Sequence, residues 1–243
     1  MCDGSPHMKE SRPMKEDERI EFLKKIILFT SLTDEELQKI MKKVVVRRFK
    51  KNQTILYGED TNEFMYIILD GKVKAVQTTE DGKEIILAMH RSGDFFGELS
   101  LIDGKTVPAS VMAIDDSVIA LVSRKDFFSL LYDHGRVVDN FLHILCSRLR
   151  ESWDKIQILS LNNASQRLKM LFLSLSNEYG EKTDDGVTLS LKLTHQEIAN
   201  MAGLTRETVT RIIDKWLRDG KVRILKSRHI LFSNDFLQKV SEL

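Results

Sequence analysis

Arg206, Glu207 and Arg211 are charged residues whose types and spacing could read the bases of DNA. An arginine can donate two hydrogen bonds to O6 and N7 of guanine, and a glutamate can accept one from the cytosine amino group. With Thr210, these residues fall on one face of a predicted helix, because an α-helix completes a turn in about 3.6 residues. The pattern predicts base contacts in the major groove. The alternative is an ordinary helix with a solvated charged face.

The elements that must position these side chains are two short predicted helices joined by a tight turn over residues 193–217. Gly203 allows the turn, and Thr205 can cap the second helix. Apolar residues recur at helical spacing on both helices and are expected to pack together: Ile198, Ala199, Ala202, Val209, Ile212, Ile213 and Trp216. This layout is typical of a helix-turn-helix, whose second helix enters the major groove.

Positive charge is concentrated in the same part of the chain. The formal net charge of the whole protein is only +1, but residues 206–228 contain eight Lys or Arg against three Asp or Glu. Neutralising DNA phosphates requires such a local basic surface rather than a globally basic protein.

Composition excludes several other classes of protein. The chain has 243 residues, 42% of them hydrophobic, which suits one large or two modest domains. Its two cysteines can form no disulfide framework and cannot supply the four thiolates of an iron–sulfur cluster. Without a long apolar run or a signal-peptide pattern, we expect a cytoplasmic protein with no membrane contact. No nucleophile–base pair, P-loop or metal-ligand cluster indicates an enzyme, and no paired histidine spacing indicates haem.

The N-terminal part of the chain is predicted to be a sensory domain. Residues 1–19 are expected to be a disordered extension, and residues 20–133 are predicted to form a β-roll of two sheets with flanking helices. Short β-branched and aromatic runs begin after Val44. The Asp-Gly pairs predicted as hairpin turns between them are Asp70-Gly71, Asp81-Gly82 and Asp103-Gly104.

Residues 134–162 are predicted to form one long helix and a hinge. Apolar residues, with one polar interruption, alternate at spacings of three and four over about three heptads: Val138, Leu142, Leu145, Leu149, Ser152, Ile156 and Leu159. Polar residues elsewhere on the helix favour a homodimer seam, whereas a monomeric core helix is the alternative. Asn162 and Asn163 interrupt the pattern and are the predicted hinge.

Residues 163–243 are predicted to form a winged helix-turn-helix domain that binds DNA. A helix from Ser165 to about Tyr179 comes first, and Val222–Phe232 is predicted as a β-hairpin around Lys226-Ser-Arg228. The fold class is therefore α+β, with a β-roll, a long dimerisation helix and a winged helix-turn-helix in that order.

This order of elements resembles the cAMP receptor protein/FNR family of bacterial transcription regulators over Ile20 to Leu243. The most specific segments are Gly93-Asp-Phe-Phe-Gly-Glu-Leu99 and Thr205-Arg-Glu-Thr-Val-Thr-Arg211. The resemblance implies a homodimer that binds double-stranded operator DNA and, if it activates transcription, contacts RNA polymerase.

The resemblance also implies roles for individual residues. Those that match the base-reading positions of the cAMP receptor branch are Arg206, Glu207 and Arg211. They imply a palindromic operator with TGTGA-like half-sites. Gln196 matches a position that contacts backbone phosphate, and Thr194 and Thr205 are further candidate phosphate donors.

The effector pocket departs from the family pattern. Cyclic-nucleotide binders carry Gly-Glu-Leu, a short helix and then Arg-Ser/Thr-Ala, whose arginine and hydroxyl hold the cyclic phosphate. Gly97, Glu98 and Leu99 retain the first part. The second part is Val107-Pro108-Ala109, which lacks the charged partner, the hydroxyl and one backbone N–H. A phosphate buried there would carry a large desolvation cost.

We therefore expect an effector other than cAMP, or none, and no cofactor. Trp153 aligns with an adenine-contacting position and could fill part of the pocket or stack on another planar ligand. Two alternatives stay open. Lys105 or Arg91 could replace the lost arginine and restore a cyclic-nucleotide response, or the chain could be a nucleotide-binding module that regulates a protein partner. The intact base-reading set argues against the second alternative.

Overall fold

The computed structural model describes residues 16–24, 26–225, 229–234 and 236. These residues form two compact units. The first contains the described residues up to Val73 with residues 90–107 and 112–143, and the second contains residues 74–89, 108–111 and the described residues from Ile144 onward.

The described residues contain eight α-helices and twelve strands. The helices are α1 (Glu16–Leu23), α2 (Asp34–Lys43), α3 (Glu98–Asp103), α4 (Arg124–Asp133), α5 (Gly135–Ser160), α6 (Ala164–Tyr179), α7 (His195–Ala202) and α8 (Arg206–Arg218). The strands are β1 (Val45–Phe49), β2 (Thr54–Leu56), β3 (Phe64–Asp70), β4 (Lys72–Thr78), β5 (Glu84–Arg91), β6 (Phe95–Phe96), β7 (Ser110–Ala113), β8 (Ser117–Ser123), β9 (Gly180–Thr183), β10 (Gly186–Leu189), β11 (Val222–Ile224) and β12 (Ile230–Ser233).

Helix α1 begins earlier than the expected domain boundary. Residues 16–19, which we assigned to a disordered extension, are helical. The segment from Glu16 onward contains no proline or glycine, so nothing in its local sequence prevents a helix. Residues 1–15 of the predicted extension lie outside the described residues.

The core of the first unit lies on an antiparallel sheet in the order β1-β8-β3-β6. The inner strand β3 has five consecutive buried residues, Met65 to Leu69. A strand covered on both faces is typically a continuous apolar run of this kind. Tyr66 lies opposite Phe96 in the β3–β6 pair, and the two rings stack with their centroids 4.9 Å apart.

The Asp-Gly pairs mark turns of different kinds, and two of the three predicted hairpins are wrong. Asp81-Gly82 closes the β4–β5 hairpin, where the Thr79 N–H donates to the Lys83 carbonyl at 2.9 Å. Asp70-Gly71 instead joins β3 and β4, which belong to different sheets. Asp103-Gly104 ends α3, with Gly104 in the left-handed conformation. An Asp-Gly pair favours a local backbone turn but does not select the partner of the next strand.

Helix α5 starts in an aromatic part of the first unit. Phe141 stacks on Phe95 with a centroid distance of 5.6 Å and meets the ring of Phe127 on α4 edge-on at 5.6 Å. Before it, Ser123 caps α4 by accepting a hydrogen bond from the Asp126 N–H at 3.2 Å.

The C-terminal part of the second unit is a winged helix-turn-helix. Its sheet has the order β11-β12-β10-β9, and the β11–β12 hairpin pairs Val222 with Phe232. The predicted hairpin tip, residues 226–228, lies outside the described residues. With this domain in place, the predicted fold class is confirmed: a β-rich N-terminal part, a long helix and a helix-turn-helix domain.

An aromatic cluster holds this domain together. Phe172 of α6 lies 5.0 Å from the ring of Phe232 and 6.2 Å from Trp216 of α8, measured between centroids. Ile158, near the end of α5, is buried in the same core. The core therefore begins before residue 163, where we placed the domain boundary.

Candidate nucleic-acid interface and effector region

Helix α7 is short because both of its ends are fixed. Thr194 Oγ1 accepts a hydrogen bond from the Glu197 N–H at 3.1 Å, and the Glu197 carboxylate accepts one from the Thr194 N–H at 2.8 Å. At the other end Gly203 has a φ of +60° and its N–H donates to the Ala199 carbonyl. A residue with a Cβ adopts this left-handed conformation only at a cost, so the glycine favours the turn into α8.

Helix α8 is held by one apolar face. Val209, Ile213 and Trp216 are buried and share a core with Ile198 and Ala202 of α7. Thr205 caps the start of α8 by accepting a hydrogen bond from the Thr208 N–H at 3.3 Å. Burial of this face fixes the rotation of α8 about its axis and leaves the opposite face in solvent.

The exposed face carries the predicted base-reading residues. Arg206, Glu207 and Arg211 are all exposed, and they line one open concave surface together with Thr210, Asp214 and Arg218. Asp214 and Arg218 were not among the predicted site residues. Their positions, three and seven residues after Arg211, continue the same helical spacing and could have identified them.

Glu207 is charged at neutral pH. Its pKa lies below the ordinary value of 4.5 because its own backbone N–H and the Thr205 hydroxyl donate hydrogen bonds to the carboxylate, with a further contribution from the charge of Arg206. An ionised carboxylate accepts hydrogen bonds only, which is what contact with a cytosine amino group requires.

Thr210 is partly buried and is tied to α7. Its hydroxyl donates to the Arg206 carbonyl at 2.9 Å and lies 2.8 Å from Nδ1 of His195. Because a hydroxyl has a single hydrogen, the contact with His195 requires an Nδ1–H donor on the imidazole. The contact holds α8 against the start of α7, a role that helical spacing does not reveal.

The predicted phosphate donors are exposed and already have intramolecular partners. The Thr194 hydroxyl donates to Glu197 Oε2 at 2.9 Å, and Gln196 Nε2 donates to Asn200 Oδ1 at 2.8 Å. Thr205 Oγ1 lies 3.1 Å from Thr208 Oγ1. A phosphate contact through the Thr194 hydroxyl would replace its existing hydrogen bond, whereas the second N–H of Gln196 Nε2 could donate to a phosphate while the bond to Asn200 is kept.

In the first unit, Gly97 starts α3 in a crowded place. It has a φ of +84°, and a Cβ there would lie 2.8 Å from the Tyr66 ring and 3.0 Å from the Phe64 carbonyl oxygen. The buried Asn62 donates to the carbonyls of Phe64 at 2.7 Å and Gly97 at 2.8 Å. Sequence reasoning missed Asn62, because a single asparagine in a loop has no spacing that marks it.

In the altered phosphate cassette, the hydrogen-bond donors at positions 106 and 107 already have partners. Val107 is buried; its N–H donates to the Asp60 carbonyl at 3.0 Å, and its own carbonyl accepts from the Glu59 N–H at 2.9 Å. The Thr106 hydroxyl donates to the Glu59 carboxylate at 3.3 Å. Glu98 is buried as well. An anion needs donors and positive charge, and here the Val107 N–H already donates to Asp60 and the Thr106 hydroxyl to Glu59.

The two candidate replacements for the lost arginine lie beside carboxylates. Lys105 Nζ is 4.0 Å from Asp103 Oδ2, and its side chain is largely exposed. Arg91 lines a concave surface that also contains Asp70, Asp115 and Asp116.

The remaining predicted pocket residues are exposed. Leu99 on α3 is 51% exposed. In the second unit, Pro108 is exposed and Trp153 is 57% exposed on α5.

Comparison with known proteins assigns the N-terminal and C-terminal parts of the chain to two domain families. Residues 46–134 match the cyclic nucleotide-binding domain family, and residues 166–235 match the Crp-like helix-turn-helix domain family. The cyclic AMP receptor protein of Thermus thermophilus is 30% identical over 81% of this chain and 88% of its own length. This chain belongs to the cAMP receptor protein/FNR family.

Other members of the cAMP receptor protein/FNR family match over similar lengths. The global nitrogen regulator of Synechococcus elongatus is 31% identical over 78% of this chain and 86% of its own length. A CooA variant from Carboxydothermus hydrogenoformans has the same fold, with a TM-score of 0.72, 24% identity and coverage of 84% of this chain and 89% of its own. The protein is therefore a DNA-binding transcription regulator and not an enzyme, as predicted.

The predicted seam of this cAMP receptor protein/FNR family member is largely exposed in the single chain. Leu142 is 53%, Leu149 52% and Ile156 65% exposed, although all three are apolar. Ser152 and Leu159 are exposed too, whereas Val138 and Leu145 are partly buried. Five of the seven stripe residues are therefore exposed in the single chain.

The predicted hinge lies between α5 and α6. Asn163 caps α6, since its Oδ1 accepts hydrogen bonds from the N–H groups of Ser165 at 2.9 Å and Gln166 at 3.2 Å. Asn162 is exposed beside it.

Within the described ranges, no group of three or more His, Cys, Asp or Glu residues is arranged to hold a metal ion. His90 stacks near Phe96 with centroids 6.3 Å apart, and His143 Nδ1 lies 2.8 Å from the Asp139 carbonyl. The helices described here include none with the length and apolar character needed to cross a bilayer.

Proposed function

We propose that this regulator acts in the cytoplasm as a homodimer that binds a palindromic operator with TGTGA-like half-sites. The observation that carries the proposal is the exposed face of α8, where Arg206, Glu207 and Arg211 lie together opposite the buried face. In a helix-turn-helix these positions reach base edges. Two arginines and one ionised glutamate are suited to guanine and cytosine. RNA polymerase is the proposed protein partner at activated promoters.

The exposed stripe of α5 supports the homodimer. Leu142, Leu149 and Ile156 expose apolar surface at heptad spacing, and burying that surface against a second copy would stabilise the pair. A two-fold dimer presents two copies of α8, which matches a palindrome whose half-sites lie about one helical turn apart.

The effector is proposed to be a ligand other than cAMP, or none. The Val107 N–H is bonded to Asp60, Pro108 has no N–H, and Glu59 lies beside the cassette. A cyclic phosphate placed there would lose its water without gaining charge-assisted hydrogen bonds.

Binding to defined duplexes tests these proposals together. The purified protein is titrated, at one fixed salt concentration, against a duplex with TGTGA and TCACA half-sites separated by six base pairs. A duplex with scrambled half-sites is the control, and each titration is repeated with cAMP. We expect specific binding of the palindrome that is the same with and without cAMP.

Each departure from this result overturns one part of the proposal. Binding that requires cAMP would mean that the altered cassette is compensated, and the effector proposal would be wrong. Equal affinity for both duplexes in both conditions would contradict the half-site proposal.

A further inference from the structure

Arg167 joins two segments that are far apart in sequence. From α6, its Nε and one terminal nitrogen donate to the Leu161 carbonyl, just after α5, at 3.1 and 2.6 Å. Its other terminal nitrogen donates to the carbonyls of Ala202 and Gly203 at 3.4 and 3.2 Å. One guanidinium group therefore contacts both the end of α5 and the turn that leads into α8.

These carbonyls are groups that a helix leaves without partners. The last carbonyls of an α-helix have no intrahelical donor and carry the negative end of the helix dipole. A cation with a rigid fork of donors is well suited to that position, and lysine cannot reproduce the fork. Arg167 satisfies the ends of α5 and α7 with a single side chain.

Packing reinforces the same junction. A Cβ on Gly203 would lie 3.3 Å from Leu159 Cδ2, so the turn between α7 and α8 lies directly against the last turn of α5. Ile158, on the same turn of α5, is buried in the helix-turn-helix core. The end of α5 is therefore packed into the helix-turn-helix domain, and Arg167 adds hydrogen bonds from that junction to the turn before α8.

We propose that Arg167 is a positioning residue that fixes the orientation of α8 relative to the end of α5 and thereby sets the half-site spacing that the dimer accepts. The proposal rests on the proposed function, since spacing has meaning only for a dimer on a palindrome. The proposed role of Arg167 involves no contact with a base. Once one subunit of the dimer has bound its half-site, the other can bind the second half-site intramolecularly. This gain in affinity is lost when the spacing of the half-sites does not match the geometry that Arg167 sets.

A series of operators tests the proposal. Duplexes carry two TGTGA-like half-sites separated by four, five, six, seven or eight base pairs, and a further duplex carries a single half-site. Affinities are measured for the wild type, Arg167→Gln and Arg167→Lys. Lys182→Gln is the control, because it removes one positive charge from an exposed position on β9 of the same domain.

The expected result is a loss of spacing preference rather than a general loss of binding. The wild type and Lys182→Gln should bind best at one spacing. Arg167→Gln should lose about tenfold or more at that spacing while its affinity for the single half-site stays within about twofold. Arg167→Lys, which keeps the charge and the packing of the stem, should resemble Arg167→Gln. If the glutamine variant does not fold, the lysine variant carries the test.

Other outcomes contradict the inference. A folded Arg167→Lys variant with an unchanged spacing preference would overturn it. Equal losses on single and paired half-sites would show that Arg167 only stabilises the domain. Failure of the proposed function is distinguishable, because the wild type would then show no preference for TGTGA-like half-sites at any spacing.

Discussion

The side chains of Arg206 and Arg211 share the exposed face of α8 because Val209 and Ile213 occupy the opposite, buried face. Burial of those residues sets the rotation of the helix, and the rotation selects which side chains can meet a base. Asp214 lies on the same face. Its negative charge opposes phosphate, so at this surface affinity depends more on correct base contacts than on unselective attraction.

Arg211→Lys is expected to weaken operator binding by about 1–3 kcal/mol and to relax discrimination at one base pair. Lysine keeps the charge but cannot donate the two parallel hydrogen bonds that read O6 and N7 of guanine. The measurement is a set of binding titrations against operators mutated at one base pair at a time.

Arg218→Lys is the matched control for that experiment, because Arg218 lies on the same face but farther from the start of α8. It should keep the discrimination of the wild type at every base pair. Full discrimination by Arg211→Lys would argue that Arg211 contacts phosphate and not a base.

At the level of elements, the orientation of α8 relative to α7 depends on the turn that joins them. Gly203 and Gly220 both follow helices with similar φ values, +60° and +68°. They differ in surroundings: a Cβ on Gly203 would meet Leu159, whereas nothing lies within 4 Å of a Cβ on Gly220. Alanine substitution at these two glycines therefore distinguishes backbone strain, which both variants have, from crowding against α5, which only the Gly203 variant has.

Gly220→Ala is expected to lower the free energy of unfolding by about 1–2 kcal/mol, the cost of a left-handed backbone with a Cβ. Gly203→Ala should lose more, since the added methyl also presses on Leu159. Chemical unfolding measures both losses. In a Leu159→Ala background the extra loss caused by Gly203→Ala should disappear, and identical losses in the two single glycine variants would argue that α5 does not crowd the turn.

At the scale of the whole molecule, the proposed dimer makes operator binding depend on the exposed apolar stripe of α5. Ile156 is 65% exposed in the single chain and belongs to a stripe of exposed apolar residues, a pattern that is typical of a protein–protein interface. Ile156→Asp is expected to convert the proposed dimer to a monomer of about 28.0 kDa, because a charge in an apolar seam is costly to bury. Analytical ultracentrifugation measures the state.

Gln157→Asp is the control, since it introduces the same charge at the next, exposed position outside the stripe. It should remain dimeric and keep its operator affinity. Ile156→Asp should lose affinity for the full palindrome but not for a single half-site. A dimeric Ile156→Asp variant would place the interface elsewhere on the chain.

Much of the architecture could be predicted from local patterns. The helix over Ser165 to Tyr179, the cap at Asn163 and the exposed side of α8 follow from spacing and capping preferences within a few residues of each other. The family resemblance was confirmed because it depends on the same short segments and their order.

Contacts between distant segments could not be predicted in this way. Asn62 bonds to Gly97 across 35 residues, and Arg167 bonds to Gly203 across 36. The Val107 N–H is used by Asp60, which no spacing indicates. Side-chain periodicity reports which residues share a face of one element, whereas these hydrogen bonds form only when packing brings separate elements together. The residues that can contact DNA bases are therefore determined by the local sequence of α8. The hydrogen bonds that hold α8 in place form only in the folded chain.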